Sequence, residues 1–314
     1  MVRTFAYRLA AAVPLAVLVS FLAFGLVHLI PGSASETILG DGATLEAVAE
    51  LDRQLGLDRP LHEQYWNWVT DAVRGDLGRS VITSRNVSDT LIERYPVTLS
   101  VAGGGLLVAV AIGVAGGTVA ALRQGRLTDR LISLGTATGL AVPNFWVAVL
   151  LAFYVGVQLG WLPAVGYIGP TESLFEWVKH LIMPSIALGL GSAAVVARQM
   201  RGGLLDVLDR PYITAARAKG LRYRRVVVVH AMKNAFIPVV TVIGFQASVM
   251  LGGAVLVELI FGMPGIGVQV VGAVLSQDLP VVQGVVMVAS LTVIVMNVLI
   301  DMSYAYFDPR VRLA

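Results

Sequence analysis

The sequence predicts an all-α membrane protein with six transmembrane helices and with both chain termini in the cytoplasm. Composition is the first reason, because 56% of the 314 residues are hydrophobic and only 14% are charged, whereas soluble domains carry about 25% charged residues. The second reason is a series of six stretches with few charges, each roughly 20 residues long, the length that a helix needs to cross a bilayer. The third is the uneven placement of lysine and arginine along the chain.

The six predicted spans differ in how clearly the sequence delimits them. The first follows two arginines, and its apolar run is longer than the roughly 7–15 residues of a signal peptide, so we expect a retained helix. The third is long enough to be either tilted or broken at Pro143. The predicted spans are Leu9–Ile30, Thr98–Leu122, Leu131–Leu159, Leu181–Met200, Ala235–Val257 and Val281–Tyr306.

Glycine is frequent in the spans, most of all in the second. Small residues let helix backbones approach closely inside a membrane, where no hydrophobic effect drives association. We therefore expect close helix contacts there. The glycines concerned are Gly103, Gly104, Gly105, Gly113, Gly116 and Gly117.

The lysines and arginines predict the orientation, because short cytoplasmic loops carry an excess of both. With the N-terminus inside, 16 of the 23 basic residues fall in cytoplasmic segments, nine of them between Arg198 and Lys233. The outside then receives six in the loop Ser33–Tyr95, plus Lys179. Six spans return the C-terminus to the cytoplasm.

Three regions follow from this topology: residues 1–32 with the first span, an extracytoplasmic subdomain at 33–95, and a membrane core at 96–314. The subdomain contains 11 acidic residues and a helical pattern near Thr44–Leu55. A turn is predicted at Asp58-Arg59-Pro60. Tyr65, Trp66 and Trp68 are residue types that collect at membrane interfaces.

The sequence shows no catalytic site and no metal site. It has no cysteine, and its four histidines are scattered without metal-ligand spacing. Lys179, Lys219 and Lys233 are followed by His, Gly and Asn, so none completes the Gly-Lys-Ser/Thr of a phosphate loop. We therefore expect this chain to bind no cofactor and no nucleic acid, and any ATP to be hydrolysed by another polypeptide.

The cytoplasmic segment 204–233 is the most informative part of the chain. Asp209 is predicted to cap a short alanine-bearing helix with Pro211 in its first turn, and Gly220 is predicted to end that helix in a left-handed conformation. A second amphipathic stretch runs from Arg222 to Lys233. Two interpretations stay open on physical grounds, a helix that docks into a partner and a basic loop that binds anionic lipid headgroups.

The residues Thr214-Ala215-Ala216-x-x-x-Gly220 resemble the EAA loop of the integral membrane subunits of ABC importers. The general motif has glutamate where this chain has Thr214. Further motifs along the chain resemble the dipeptide/oligopeptide branch of that family. They are Pro31-Gly32, Leu55-Gly56-Leu57-Asp58-Arg59-Pro60-Leu61, Gly75-Asp76-Leu77-Gly78-Arg79-Ser80, Pro143-x-Phe145-Trp146, Leu162-Pro163-Ala164-x-Gly166, Pro264-Gly265-Ile266-Gly267, Asp278-x-Pro280 and Asp308-Pro309-Arg310.

This resemblance implies the type I ABC importer permease fold and a bacterial or archaeal cytoplasmic membrane. The implied partners are a second, homologous permease subunit, two ATP-binding subunits or domains that hold ATP and Mg²⁺, and an extracytoplasmic substrate-binding protein. Segment 204–233 then becomes the coupling loop against the ATPase. The implied coupling contacts are Tyr212, Thr214, Ala215, Ala216, Lys219 and Gly220. A bulky residue at Gly220 is expected to uncouple ATP hydrolysis from uptake.

The implied cargo is a di- or oligopeptide, although relatives within the family carry glutathione, nickel or haem. Polar or adaptable side chains within the spans are candidates to face the translocation pathway, with helix–helix contact as the alternative. They are Asn144, Trp146, Gln246, Met250 and Glu258. An ion-coupled transporter is the less favoured alternative, because such transporters usually carry acidic residues or histidines within their spans. Here the candidates are Glu258 and Asp301, and both lie toward span ends. A membrane receptor or scaffold is a further alternative.

Overall fold

A computed structural model describes residues 2–29, Ser35, Leu39 and 44–307 of the chain, which form helices joined by turns. The described residues contain no strand beyond one isolated bridge between Arg79 and Asn86, so the predicted all-α class is confirmed for them. Both chain termini, Pro31-Gly32, Asp308-Pro309-Arg310 and the side chain of Asp301 lie outside the described part. The helices are α1 (Val2–Leu29), α2 (Leu45–Leu55), α3 (Leu61–Val73), α4 (Val87–Leu122), α5 (Leu127–Ala141), α6 (Asn144–Leu150), α7 (Leu174–Leu208), α8 (Pro211–Ala218), α9 (Tyr223–Arg225), α10 (Met232–Ile260), α11 (Ile266–Leu275) and α12 (Leu279–Phe307).

Four helical segments are long and apolar enough to cross a membrane, counted over the residues with described side chains. They are Val87–Leu122, Leu174–Leu208, Tyr223–Ile260 and Leu279–Ile300. The bent pair α5 and α6 makes a fifth, and α1 contributes the shorter apolar stretch Ala12–Gly25. Five of the six predicted spans thus fall on these segments, while the count of six stays a prediction.

The third predicted span is broken at Pro143, which is one of the two alternatives that the sequence left open. Helices α5 and α6 meet at 98°, with Val142 and Pro143 both in extended conformation between them. Proline lacks the N–H that a continuing helix needs, and it pushes the preceding residue out of the helical region. Beyond α6 the chain continues as a π-helical segment, Leu151–Gln158.

The helices extend beyond the predicted spans, most clearly at α4. The prediction began at Thr98, whereas the helix begins at Val87. Residues 87–95 include acidic and basic side chains, so they do not belong to a stretch with few charges and fall outside the predicted span. Because a helix satisfies its backbone hydrogen bonds within itself in lipid and water alike, it need not stop where the apolar residues stop.

The described chain separates into two compact units. The first is built around Val97–Met263, and the second consists of Ala6–Pro96 with Pro264–Val295. In the first unit the largest buried cluster includes Val101, Leu188 and Met250, contributed by α4, α7 and α10. This cluster forms the core of the membrane part of the chain.

A row of small residues on α4 is central to the first unit. Gly105, Ala109, Gly113, Gly117 and Ala121 follow one another at every fourth position, which places them on one face of the helix. Both alanines of the row are buried. We refer to these five residues as the small-residue row.

The glycines of the small-residue row lie directly against α7. A Cβ atom added to Gly113 would come within 2.6 Å of Val196 Cβ, and one added to Gly117 within 2.7 Å of Met200 Cβ. The Cβ atom added to Gly117 would also collide with the backbone carbonyl oxygen of Ala197 in α7. The expected close approach of helices is confirmed here, while a Cβ on Gly103 of the same helix would meet nothing within 4 Å.

The second unit contains α2 and α3 of the predicted extracytoplasmic subdomain, and α2 coincides with the helical pattern predicted near Thr44–Leu55. Thr44 caps α2, its hydroxyl accepting a hydrogen bond from Ala47 N–H at 3.3 Å. Gly56 ends the helix with φ +70°, and the predicted turn at 58–60 leads into α3. The hydroxyls of Tyr65 in α3 and Ser20 in α1 are 2.8 Å apart.

A buried hydrogen-bonded contact joins two distant parts of the second unit. Ser80 donates its hydroxyl proton to Asp278 over 2.5 Å, and Val81 N–H donates to the same carboxylate over 3.2 Å. Thr83 N–H in turn donates to the Ser80 hydroxyl over 2.9 Å. The motif that ends at Ser80 and the motif that begins at Asp278 therefore form one structure.

Contacts within each unit agree with the predicted grouping of the loops on two sides of the membrane, while the assignment of one side to the cytoplasm stays a prediction. Ser80 and Asp278 both belong to segments assigned to the outside, as do Gly166 and Phe261, whose backbones share a 2.8 Å hydrogen bond in the first unit. On the side predicted to be cytoplasmic, Arg201 near the end of α7 donates two hydrogen bonds to Asp129 at the beginning of α5. Each contact brings together segments that the charge bias assigns to the same side of the membrane.

Candidate functional site

The predicted coupling loop forms a short helix, α8, between two sharp changes of direction. Pro211 is its first residue, as predicted, but the N-cap is Arg210 rather than Asp209. Asp209 instead ends α7, its N–H bonding the carbonyl of Leu205 at 3.3 Å. The correction has a local cause: proline forces extended conformation on the residue directly before it, and Arg210 has φ −73° and ψ 144°.

The end of α8 is set by Gly220, which has φ +77°, so the predicted left-handed conformation is confirmed. Gly220 N–H bonds the carbonyl of Arg217 at 2.9 Å, and Leu221 N–H bonds that of Ala216 at 3.3 Å. These two bonds are those of a Schellman motif. The glycine thus satisfies the last carbonyls of the helix and turns the chain toward α9.

Ile213 attaches α8 to the rest of the first unit. It is 1% exposed, and it belongs to a buried cluster with Leu204 of α7, Val226 beyond α9 and Ala235 of α10. The cluster also contains Ala121, the last member of the small-residue row. Ile213 therefore anchors α8 in a buried cluster to which α4, α7 and α10 also contribute.

The side of α8 opposite Ile213 presents Thr214 and Ala215 to the surroundings, whereas Ala216 packs against the same buried cluster as Ile213. Thr214 and Ala215 are exposed and Ala216 is half-buried, while Lys219 and Gly220 are exposed beyond the helix end. Tyr212 is also exposed, and its hydroxyl accepts a 3.1 Å hydrogen bond from the Asn234 amide. Five of the six predicted coupling residues are therefore exposed, and the sixth, Ala216, is half-buried against the cluster.

The surroundings of this helix are strongly basic. Eight of the nine lysines and arginines between Arg198 and Lys233 are exposed, against two exposed acids. The guanidinium of Arg217 lies over the ring of Tyr223, 5.4 Å from its centre. The helix therefore combines a small-residue face with a positive rim, an arrangement suited to a concave, acidic or phosphate-bearing surface.

Asp129 and Arg201 form an ion pair that sequence reasoning missed. Arg201 Nε and Nη2 donate to the two carboxylate oxygens of Asp129 at 2.7 and 2.9 Å. The Asp129 side chain is buried, whereas that of Arg201 is partly exposed. The acid comes four residues after Gly125 in a short turn, a local signal that does not reveal its distant partner.

Two of the candidate pathway residues converge on α7. Asn144 begins α6 and lies beside Gly191, where an added Cβ would be 2.9 Å from the side-chain oxygen Oδ1 of Asn144. Gln246 of α10 is buried, and its amide donates to the hydroxyl of Ser192 at 2.7 Å. These contacts are ones that polar helix–helix packing makes in a membrane.

The other three candidates lie in different environments. Trp146 is 54% exposed on α6, whereas Met250 is buried in the core of the first unit. Glu258 is fully buried in the last turn of α10, where its carboxylate accepts a 2.5 Å hydrogen bond from Thr98. It lies about 18 Å along α10 from Gln246 at 1.5 Å per residue, so the five candidates do not form one cluster, and their role in transport stays a prediction.

Comparison with known protein families accounts for nearly the whole chain. The profile of the binding-protein-dependent transport system inner membrane component matches residues 113–313. The profile of the N-terminal region of such membrane components matches residues 1–102. The two matches leave only residues 103–112 and the last residue uncovered.

Individual proteins agree with the family match. The chain is 39% identical over 305 residues, 97% of each protein, to a putative peptide transport system permease protein of Brucella abortus. The glutathione transport system permease protein of Escherichia coli O6:H1 has the same identity and coverage.

Solved structures with low sequence identity share the fold. A chain of the inward-facing MetNI methionine ABC transporter matches with a TM-score of 0.57 at 15% identity, over 70% of this chain and 96% of that one. An amino acid ABC transporter gives a TM-score of 0.51 at 19% identity, over 70% and 94%. The predicted ABC importer permease fold is confirmed, and the chain belongs to the family of inner-membrane components of binding-protein-dependent transport systems.

Proposed function

We propose that this protein is one of two permease subunits of an ATP-driven importer for di- or oligopeptides. In this assembly a second, homologous permease completes the translocation pathway, and two ATPase subunits or domains bind ATP and Mg²⁺. An extracytoplasmic binding protein delivers the peptide. The observation that carries the proposal is the exposed helix α8, which the buried Ile213 attaches to the membrane core.

The geometry of α8 supports a role as the ATPase contact. Small side chains at Thr214, Ala215 and Ala216 permit close approach of a groove in the partner, and the Schellman motif at Gly220 holds the helix end in one conformation. Ile213 shares one buried cluster with residues of α7 and α10, so a displacement of α8 would be transmitted through that cluster to two membrane helices. This is the arrangement needed for a rigid-body transition driven by ATP binding.

The substrate class rests on the relatives. A peptide transport permease and a glutathione transport permease are equally similar to this chain, and glutathione is itself a tripeptide. Peptides are therefore proposed as the substrate class, with glutathione as the second candidate. The transported peptide would pass between this chain and the second permease, with Asn144 and Trp146 as the partly exposed candidates to meet it.

Cysteine cross-linking tests the proposed ATPase contact. The chain has no natural cysteine, so Ala215→Cys introduces a single thiol on the exposed face of α8. We expect it to cross-link to a co-expressed ATPase subunit carrying single cysteines in its membrane-facing cleft. Ile213→Cys is the matched control, because that position is buried and should not react.

Transport in reconstituted vesicles tests the substrate. The complete complex with its binding protein should take up labelled di- or oligopeptides in an ATP-dependent manner. Preferential uptake of glutathione would select the second candidate. Full uptake by the purified chain alone would contradict the proposal and favour an ion-coupled transporter, and purification without any ATPase or permease partner would favour a receptor or scaffold.

A further inference from the structure

The buried carboxylate of Asp129, in the first turn of α5, accepts hydrogen bonds from four donors. Besides the two donors of Arg201, Gly125 N–H donates to it at 3.0 Å and the Ser133 hydroxyl at 3.4 Å. Gly125 belongs to the α4–α5 turn and Ser133 to α5. The acid thus fixes the geometry of that turn and binds it to α7 at the same time.

The position of Arg201 gives this contact a relation to the coupling loop. Arg201 is three residues before Leu204, which packs with Ile213 of α8 in one buried cluster. It also directly follows Met200, which faces Gly117 of the small-residue row. The ion pair therefore stands between the close α4–α7 contact and the point where the coupling loop leaves α7.

Two-point binding makes the contact directional. A guanidinium that donates two parallel hydrogen bonds to a carboxylate fixes both distance and orientation, which a single point charge does not. With the carboxylate also held by Gly125 and Ser133, the last turns of α7 cannot rotate relative to the α4–α5 turn while the pair persists. A displacement of α8 would then move α4, α5 and α7 together.

We propose that Asp129 and Arg201 are positioning residues for coupling, which make the α4–α5 turn and the base of the coupling loop move as one body. This inference rests on the proposed function, because it assigns a role to the pair within an ATP-driven importer. The contrasting interpretation is that the pair only stabilises the folded subunit. The number of ATP molecules hydrolysed per substrate imported separates the two, because a purely structural loss lowers both rates in proportion.

The test uses Asp129→Asn, Arg201→Gln and the double variant in the complete reconstituted complex. We expect each single variant to raise the ratio of ATP hydrolysed to substrate imported by about fivefold or more, the lower end of typical coupling between sites. The double variant should be no worse than the singles, since the two residues act through one contact. Arg201→Lys, which keeps the charge and loses the two-point geometry, should give an intermediate ratio.

Glu93→Gln is the matched control, because it also changes a carboxylate to an amide and breaks an arginine pair, the exposed one with Arg85. Its ratio should equal that of the wild type. A wild-type ratio in the Asp129 and Arg201 variants, with lowered thermal stability, would overturn the inference and leave the pair a structural role. Should the wild-type chain itself show no ATP-dependent import, the proposed function fails instead. Should Asp129→Asn not assemble, the milder Arg201→Lys decides the outcome.

Discussion

Replacing Gly220 with alanine should loosen the end of the coupling helix without any steric clash in this subunit. Gly220 has φ +77°, and a Cβ atom placed there would meet nothing within 4 Å. The only cost is therefore the left-handed backbone, about 1–2 kcal/mol for a residue with a side chain. A change of that size shifts a local equilibrium by about 5- to 30-fold.

Hydrogen exchange measures this shift directly. The amides of Gly220 and Leu221 bond the carbonyls of Arg217 and Ala216, and opening of the Schellman motif exposes both. In Gly220→Ala we expect these amides to exchange about 5- to 30-fold faster, in proportion to the lost local stability. In reconstituted vesicles the same variant should hydrolyse more ATP per peptide imported while remaining inserted.

Two further variants distinguish the effect of the backbone conformation at residue 220 from the effect of side-chain size. Gly202→Ala in α7 also adds a Cβ into open space but at a glycine without positive φ, so it should preserve coupling and stabilise the helix by about 0.5–1 kcal/mol. Asparagine tolerates the left-handed region better than alanine, so Gly220→Asn should be the milder change despite its size. Equal loss of coupling in both Gly220 variants would refute the conformational argument and indicate a tight contact with the partner.

Three other changes test separate contacts. Ile213→Ala should lower the free energy of unfolding of the subunit by about 2–5 kcal/mol in thermal melts, whereas the exposed Thr214→Ala should change it by less than about 0.5 kcal/mol; equal losses would contradict the anchoring role. Gly117→Leu should prevent α4 from closing on α7 and abolish monodisperse protein in size-exclusion chromatography, whereas Gly103→Leu in the same helix should be tolerated. Asp278→Asn should weaken the buried hydrogen bond from Ser80 and the partly buried one from Val81 and cost about 1–3 kcal/mol. Faster proteolysis of the loop around residues 79–86 would show this loss, and unchanged proteolysis would argue against the contact.

Features that depend on one residue and its neighbours could be predicted from the sequence. Gly220 and Pro143 each act through the backbone, so the helix end and the broken span follow from their residue types. The same reasoning failed at Asp209, because the proline forces the extended conformation on the residue directly before it, Arg210, so that the N-cap falls one residue later than predicted. The long stretches with few charges located the membrane helices but not their ends, because a helix can continue beyond the hydrocarbon core of the bilayer.

Contacts between distant residues could not be predicted in this way. Asp129 and Arg201 are 72 positions apart, and Ser80 and Asp278 are 198 apart. Neither periodicity nor spacing relates positions so far apart, and only the fold brings them together. The same limit applies to the candidate pathway residues. Gln246 donates a hydrogen bond to Ser192 of its own chain, and the residues that a second permease would contribute to a channel cannot be predicted from this sequence.

The small-residue row on α4 has a consequence for how this protein tolerates mutation. Where backbone meets backbone, no side chain is available to change its rotamer and absorb an added methyl group. A saturation scan along α4 should therefore show intolerance that recurs with a period of four, at positions 105, 109, 113, 117 and 121. Exposed positions of the same helix, such as Gly103, where an added Cβ would meet nothing within 4 Å, should accept larger residues and so record which side of the helix is turned toward lipid or toward another chain.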